Sequence, residues 1–257
     1  ALELKTPVFA TMPHILNEVG NKKLSKRDNA KDILDYIDSG FLPETLMNFI
    51  ATLGWNDGTE QEIFSPEELI KKFSLDRVGR SGAKFDENRL LWMNGQWIRR
   101  LSLEELEKRA IDFWPKSAQS ASQEQRREVL GLVQDRLKTL ADLPTLTSYF
   151  FEEPKPNWSM IDKNKQLSKL EKQQITSLLT TTKDALEKSE FDPDSLQNTL
   201  NQLLETTGQK PGVLFGLIRI AVSWAPFSPA LNETLSVLGK EVVIKRLGGA
   251  INLSVQQ

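Results

Sequence analysis

A short basic segment, residues 22–27, carries the side chains best suited to chemistry in this chain. It has the sequence Lys-Lys-Leu-Ser-Lys-Arg. Turn-forming residues flank it on both sides, at 20–21 and 28–29, and predict a loop. Lysine offers a compact positive charge with three rotatable donors, and Ser25 adds a hydroxyl. The segment therefore predicts a polyphosphate site, although the same pattern is also typical of a solvated surface loop.

The composition excludes several other kinds of site. The 257 residues include no cysteine and a single histidine, His14, which excludes disulfides, cysteine-ligated zinc and a histidine-rich metal centre. We expect no metal site, and we interpret His14 as a packed or capping residue. The formal net charge of −2 argues against a generally basic nucleic-acid binder, but local patches can still neutralise phosphates.

Neither a membrane span nor a signal peptide is indicated. No apolar run reaches the length needed to cross a bilayer, and residues 1–7 lack the charged and apolar regions of a secretory signal. The absence of cysteine fits a reducing compartment. We therefore expect a cytoplasmic protein that has no membrane partner.

The elements that must position the basic loop are predicted to be helices. Apolar residues recur at helical spacing along most of the chain, and strand-type alternation is scarce. Asp28 is predicted to cap a helix that ends at Gly40. The next helix opens near Pro43, carries the apolar residues Leu46, Met47, Ile50 and Leu53, and is expected to stop at Gly54-Trp55. Further helix starts are indicated by capping residues at Ser65, Asp86 and Ser102.

The second half of the chain continues the helical pattern. It predicts long helices over residues 123–141 and 163–188. A helix over residues 213–224 is apolar on nearly all sides, which predicts a central position. The last helix, over residues 240–247, is expected to end at the glycine pair 248–249. The predicted fold class is all-α, in consecutive helical modules.

Two stretches are predicted to separate these modules. The polar residues 116–122 indicate a linker, and the prolines within residues 152–157 interrupt any helix there. Residues 1–20 contain a short apolar piece with no partner strand nearby. We therefore expect a domain boundary at or before residue 1, so that the chain is part of a longer protein.

A set of short segments follows in a recognisable order near the start of the chain, at residues 12–16, 23–27, 40–44 and 53–55, with Asn48. This order resembles the bacterial glutamyl-tRNA synthetases, which are class I aminoacyl-tRNA ligases. Residues 82–86 and 89–94 are similar to the family's stem-contact region. Similarity to its anticodon-binding helices is found at residues 214–215, 219–221, 228–229, 238–241 and 246–247.

The resemblance implies a division into four parts and a function. The parts are the edge of a catalytic domain (1–20), a stem-contact domain (21–115) and two anticodon-binding subdomains (116–157 and 158–257). The family's other signature, a His-and-Gly motif, and its glutamate pocket have no match here. We therefore expect the tRNA-binding C-terminal half of glutamate–tRNA ligase, a monomer that binds tRNA(Glu) but does not aminoacylate by itself. Whether tRNA(Gln) is a second partner stays open.

The resemblance also implies roles in the basic loop. Lys26 would contact ATP, accompanied by Mg²⁺, in the full-length enzyme, because an ammonium stabilises charge that develops on phosphate oxygens. Lys23, Ser25 and Arg27 would shape the loop and close it. No ATP is expected to bind to this chain alone, because the opposing wall of the site belongs to the missing nucleotide-binding fold.

The remaining candidates are cations that would contact tRNA. Candidates for contacts to stem phosphates, which set position but not sequence, are Arg77, Arg80, Lys84 and Arg89. Arg136 and Arg219 are expected to contact anticodon bases, because arginine combines stacking with paired donors. Lys240 is expected to contact a phosphate group of the tRNA. The family usually has threonine-glycine where this chain has Ser223-Trp224, which leaves the local turn open.

Two other functions stay open at this stage. One is a stand-alone tRNA-binding or assembly module derived from the ligase. Retention of the whole loop at residues 23–27 argues against it, because a non-catalytic module has no use for an ATP loop. The other is a helical protein-interaction scaffold unrelated to tRNA, which requires the ordered similarities to be coincidental.

Overall fold

The computed structural model describes residues 9, 11–18, 22–25, 32–225 and 227–256. These residues are mainly helical, and their extended pairings are isolated bridges, which confirms the all-α prediction. The chain forms two compact units, which we call unit 1 (residues 1–101 and 138–141) and unit 2 (residues 102–137 and 142–257). None of the described helices is long and apolar enough to cross a membrane.

In the described part of unit 1, four α-helices are joined by irregular segments. They are α1 (Ile33–Asp38), α2 (Pro43–Ala51), α3 (Pro66–Lys72) and α4 (Glu87–Arg100). The predicted caps at Ser65 and Asp86 are confirmed, because both side chains accept backbone N–H groups of the following turn. Helix α1 is capped by Asp32. The predicted cap Asp28 lies outside the described residues.

Buried asparagine side chains hold the irregular segments of unit 1. Oδ1 of Asn94 accepts the backbone N–H of Leu42 at 2.9 Å, and its Nδ2 donates to the carbonyl of Lys138 at 2.6 Å. Oδ1 of Asn48 accepts the backbone N–H of Phe64 at 3.0 Å. Both asparagines are fully buried. They supply the partners that backbone groups outside regular helices need.

The predicted long helix over residues 123–141 is wrong. The helix ends at Val133, and residues 138–141 belong to unit 1, where the backbone N–H of Leu140 donates to the carbonyl of Gly40 at 3.0 Å. These tertiary hydrogen bonds replace the helical ones that the local pattern favours.

Unit 2 is a larger set of helices around one apolar core. Its helices are α5 (Leu103–Arg109), α6 (Gln123–Val133), α7 (Leu143–Phe151), α8 (Ser159–Asp162), α9 (Lys172–Lys188), α10 (Pro193–Thr207), α11 (Pro211–Ser223), α12 (Leu231–Leu238) and α13 (Lys240–Gln256). The predicted central position of α11 is confirmed, because its residues Leu214, Leu217 and Ile218 are fully buried.

Three segments of unit 2 differ from the prediction in extent or in structure. Helix α9 begins at Lys172, not Lys163, because Glu171 starts a capping box there. Helix α13 continues through Gly248 and Gly249, because the flanking apolar residues Leu247 and Ala250 are buried. The predicted linker is folded into a 3-10 helix, Lys116–Ser120.

The first segment of unit 1 ends at residue 101 and unit 2 begins at residue 102. The predicted stem-contact domain instead extends to residue 115. The division into four functional domains stays a prediction.

Candidate nucleic-acid interface

The described part of the basic loop is held by backbone contacts. Leu16 pairs in an antiparallel bridge with Lys23 and in a parallel bridge with Lys84. The backbone N–H of Phe85 donates to the carbonyl of Leu16 at 2.9 Å. The side chains of Lys23 and Lys84 are exposed. One cation of the predicted ATP loop and one of the predicted tRNA contacts therefore lie on segments that flank the same residue.

A glycine permits this close approach. A Cβ atom on Gly82 would lie 2.7 Å from the carbonyl oxygen of His14 and 2.9 Å from the side chain of Leu16. A larger residue would push the segments apart. The side chain of His14 is itself exposed, so of the two alternatives the packed histidine is wrong and the capping histidine stays a prediction.

Two of the predicted loop residues fall outside the described part of the chain. These are Lys26 and Arg27, whereas Ser25 is described and exposed. The ATP-contacting role of the loop stays a prediction.

The predicted stem contacts of unit 1 differ in their surroundings. Arg77 and Arg80 are exposed. Arg89 is half-buried, where its Nε donates to a carboxylate oxygen of Glu62 at 2.8 Å and its Nη2 donates to the hydroxyl of Thr52 at 3.1 Å. Arg89 therefore joins α4 to the end of α2, in addition to any contact with a ligand.

The two predicted anticodon-contacting arginines of unit 2 lie within electrostatic range of each other and of one buried tyrosine. Arg136 follows α6 and Arg219 lies on α11, and both act electrostatically on Tyr149 of α7. Tyr149 is 3% exposed, and this burial raises the pKa of its hydroxyl above its ordinary value. The positive charges of Arg219, Arg136 and Arg246 oppose that rise. The phenol is therefore a neutral donor surrounded by cations.

Arg219 is held in this cluster by its own side-chain contact. Its Nε donates to the hydroxyl of Ser228 at 2.8 Å, and Ser228 donates to the carbonyl of Pro229 at 3.1 Å. Burial lowers the pKa of Arg219, and the nearby charge of Arg136 lowers it further, whereas Tyr149 raises it. A ligand that carries negative charge or acceptor atoms stabilises a half-buried cation that lies near another cation.

Sequence reasoning assigned no role to the most buried arginine of the cluster. Arg246 on α13 is 6% exposed, and it donates to the carbonyls of Val222 at 2.8 Å and Glu152 at 3.0 Å. Arg246 lies in a segment, residues 246–247, that resembles the family, and this similarity could have indicated a role for it. Arg246 links α13 to the ends of α11 and α7, so it fixes the helices that carry Arg219 and Tyr149.

The turn after α11 forms despite the departure from the family pattern. Trp224 adopts φ +45° and ψ +37°, and it is the one non-glycine residue with positive φ in the described ranges. This left-handed conformation is the one that glycine usually provides at a helix C-terminus. Tryptophan adopts it here at a cost of about 1–2 kcal/mol.

The last predicted tRNA contact is bound to the protein's own backbone. Lys240 is exposed, and its Nζ donates to the carbonyl of Ser189 at 3.1 Å, which caps the C-terminal end of α9. Its role on phosphate stays a prediction. Across the described residues, no group of three or more acidic or histidine side chains could hold a metal ion.

Family models match both parts of the chain. Residues 104–251 match the model of an anticodon binding domain, and residues 1–92 match the model of the catalytic domain of class I tRNA synthetases (E and Q). The two matches lie on either side of the division between units at residue 101.

Related proteins extend the similarity over nearly the whole chain. The glutamate–tRNA ligase of Chloroflexus aurantiacus is 34% identical over 252 residues, which cover 95% of this chain and 50% of the relative. That of Herpetosiphon aurantiacus is 36% identical over 250 residues, with the same coverage. A solved glutamate tRNA ligase from Elizabethkingia meningosepticum superposes with a TM-score of 0.79 at 25% identity, covering 96% of this chain and 52% of that one. The chain spans about half the length of these relatives.

Proposed function

This chain belongs to the glutamyl-tRNA synthetase family through its anticodon-binding domain, and from that premise we propose that it is the tRNA-binding part of a glutamate–tRNA ligase. The observation that carries the proposal is the match of residues 104–251 to the anticodon-binding model, a region in which Arg219 is held at its Nε by Ser228. Its proposed tRNA partner is tRNA(Glu). Arg219 is half-buried and fixed at its Nε by Ser228, which suits the reading of an unstacked base, whereas Arg136 is exposed.

The exposed cations of unit 1 support a second, less specific contact. Arg77, Arg80 and Lys84 carry charges that solvent reaches, and such charges position a nucleic acid through its phosphates. We assign them to the stem of the bound tRNA. Arg89 is the weakest member of this group, because its guanidinium already pairs with Glu62.

The basic loop would serve ATP when the chain is joined to a nucleotide-binding fold. Lys26 would contact the phosphates with Mg²⁺ present, and Lys23, Ser25 and Arg27 would shape and close the loop. Exposed lysines with no opposing wall bind a phosphate weakly, since water and salt screen them. The chain by itself is therefore expected to bind tRNA and to attach no glutamate.

A titration with tRNA(Glu) tests this proposal. The 257-residue chain is expected to prefer tRNA(Glu) over a tRNA with an unrelated anticodon, at two salt concentrations. Arg219→Ala should weaken binding to tRNA(Glu) by about 1–3 kcal/mol and relax the anticodon preference. Arg80→Gln is the matched control. It should weaken binding evenly across RNAs and reduce the slope of log affinity against log salt by about 1.

Two results would contradict the proposal. Equal affinity of the wild-type chain for tRNAs with any anticodon would remove the anticodon-binding function. An unchanged affinity of Arg219→Ala at fixed salt would remove Arg219 from the interface. A glutamylation assay with the same purified chain tests the activity separately, and product formation there would show that the chain needs no further domain.

A further inference from the structure

A cleft of about 560 Å³ in unit 2 is lined by residues of α5, of α6 and of the segment that joins them. Its apolar lining consists of Ile111, which is 69% exposed, and the half-buried ring of Trp114. The ring of Trp114 is held in place by a T-shaped contact with Phe151, whose ring centroid lies 5.7 Å away. Clefts of this size, with an apolar lining and a few polar groups, are typical of small-molecule sites. The cleft therefore offers a fixed aromatic partner to a planar ring.

Most charged side chains of the cleft neutralise one another. The Nζ of Lys108 donates to a carboxylate oxygen of Glu104 at 2.9 Å, and a guanidinium nitrogen of Arg127 lies 3.5 Å from the carboxylate of Glu107. Arg126 also lines the cleft and is half-buried, but its side chain forms no hydrogen bond or ion pair with any residue that the structure describes. Its guanidinium is therefore available to a ligand.

We infer that this cleft binds an aromatic carboxylate, whose planar ring packs against Trp114 and whose carboxylate accepts hydrogen bonds from Arg126. A guanidinium presents paired donors in the geometry that a carboxylate accepts, and the opposite charges strengthen both hydrogen bonds. Partial burial of Arg126 protects such a contact from screening by salt. This binding would be independent of the proposed binding of tRNA and of ATP.

The acidic residues of this region favour a carboxylate over a phosphate group. Glu104 and Glu107 line the same cleft as Arg126, and Asp112 and Glu124 are exposed on the segments that form it. A phosphate monoester carries a charge of about −1.5 to −2 at pH 7, and a strand of nucleic acid carries one negative charge per nucleotide. Arg126 matches the single charge of a carboxylate, whereas the acidic side chains would repel any further negative charge.

Titration with indole-3-acetate tests the site, with indole-3-acetamide as a neutral ligand of nearly the same shape. A ligand of this size is expected to bind the 257-residue chain with a dissociation constant of about 0.1–1 mM. In NMR spectra of the isotope-labelled chain, which has six tryptophans, the indole signal that shifts should be the one that Trp114→Phe removes. The uncharged acetamide should bind about 5- to 10-fold more weakly. No shift of the Trp114 signal at several millimolar indole-3-acetate would overturn the proposed site.

Arg126→Gln tests the contact with the carboxylate. The variant should bind indole-3-acetate about 10-fold more weakly and should bind indole-3-acetamide as the wild type does. Its unfolding temperature should be unchanged, because the side chain of Arg126 has no partner in the described protein. The matched control is Lys165→Gln, which removes an exposed cation of unit 2 outside the cleft and should leave the affinity as it is. Equal losses in the two variants would remove Arg126 from the site.

Glu107→Gln provides a test that a loss of folding cannot imitate, because its affinity is expected to rise. The change removes a negative charge from the cleft and frees Arg127 from its ion pair. Indole-3-acetate should therefore bind about 2- to 5-fold more tightly. Weaker binding by a folded Glu107→Gln variant would contradict the proposed charge balance.

A free aromatic acid and the C-terminus of a peptide both supply this chemistry, and a short peptide that ends in tryptophan distinguishes them. Tighter binding of the peptide than of indole-3-acetate, lost when its C-terminus is amidated, would identify a chain terminus as the ligand. Weaker binding of the peptide would identify a free acid, and both results support an aromatic carboxylate site. If Arg126→Gln instead weakens the binding of tRNA(Glu) while indole-3-acetate leaves the Trp114 signal unmoved, the cleft is an RNA contact and the proposed site is overturned.

Discussion

Lys23 and Lys84 of unit 1 are held in a different way from Arg219 and Arg246 of unit 2. In unit 1, backbone bridges to Leu16 place Lys23 and Lys84, and the side chains extend into solvent. In unit 2, contacts between side chains and buried carbonyls hold Arg219 and Arg246 among helices. Exposed charges are screened by salt and suit phosphates, whereas half-buried donors with fixed directions can distinguish one base edge from another.

The interiors of the two units also differ in the contacts that hold them together. Unit 1 joins its irregular segments through buried Asn94 and through the close approach of Gly40 to residues 138–141. Unit 2 packs its helices around a continuous apolar cluster that includes Leu217 and Leu247. Unit 1 should therefore be most sensitive to changes at backbone contacts, and unit 2 to changes at side chains that join helices.

The largest effect is expected for Gly40→Ala in unit 1. Gly40 has φ +81°, and a Cβ atom there would lie 2.5 Å from the backbone nitrogen of Ala141 and 2.6 Å from that of Leu140. Left-handed strain and a clash with backbone together should lower the free energy of unfolding by about 3–5 kcal/mol, measured by urea denaturation. The matched control is Gly249→Ala in α13, where a Cβ atom has open space around it. This substitution should raise the free energy of unfolding by about 0.5–1 kcal/mol. Equal effects of the two substitutions would contradict the contrast between the units.

A smaller loss is expected for Arg246→Met in unit 2. Methionine keeps much of the apolar volume but leaves the carbonyls of Val222 and Glu152 without their donor. The free energy of unfolding should fall by about 2–4 kcal/mol. The neighbouring control Lys245→Met removes only an exposed ion pair to Glu153, at 3.3 Å, and should change stability by less than about 0.5 kcal/mol. If Arg246→Met matched this control, buried arginine contacts would not be what joins these helices.

The smallest effect concerns an ion pair of unit 1 and appears as a pH dependence. Hydrogen bonds from Lys72 and Thr59 lower the pKa of Asp57 from 3.8 to about 2, and the Lys72 Nζ lies 2.7 Å from the carboxylate. Because the folded pKa is the lower one, this stabilisation is complete above about pH 4 and is lost as the pH falls through about 2. Asp57→Asn should therefore be less stable than the wild type at pH 7, and the gap should close between about pH 4 and pH 2.

Lys72→Met provides the check on this pair, because it removes the main cause of the lowered pKa and should reduce the same pH dependence, while the hydrogen bonds from Thr59 keep part of it. Acid titrations of stability followed by circular dichroism would measure both variants. A gap between wild type and Asp57→Asn that stays constant down to pH 2 would exclude the pair as its source.

Apolar spacing predicted helices better than it predicted which of their faces are buried. Of the apolar residues that the pattern placed on α2, Leu46 is 5% exposed, but Met47 and Ile50 are 53% and 58% exposed. Helix α1 likewise exposes Ile33 and Leu34, at 52% and 62%. Periodicity shows that apolar residues share a face, but only the neighbouring elements decide whether that face is covered.

The candidate site likewise combines residues that the sequence predicted with an arrangement that only the folded structure shows. Arg136 and Arg219 were predicted separately, from the similarity of two distant segments to a known family. No local pattern indicated that both lie within electrostatic range of Tyr149, or that Arg246 joins the helices around them. Residues on four helical segments converge only when the whole unit packs.

The sequence by itself determined the helix class, the caps at Ser65 and Asp86, and the family, because each depends on residues that are close in the chain or on an ordered set of short segments. Tertiary structure alone decided where the long helix breaks after Val133 and why α13 continues through two glycines. In the first case hydrogen bonds to Gly40 and Asn94 outweigh local helix propensity, and in the second the burial of Leu247 and Ala250 outweighs the cost of glycine. Local signals set what a segment can form, and the free energy of its distant contacts sets what it does form.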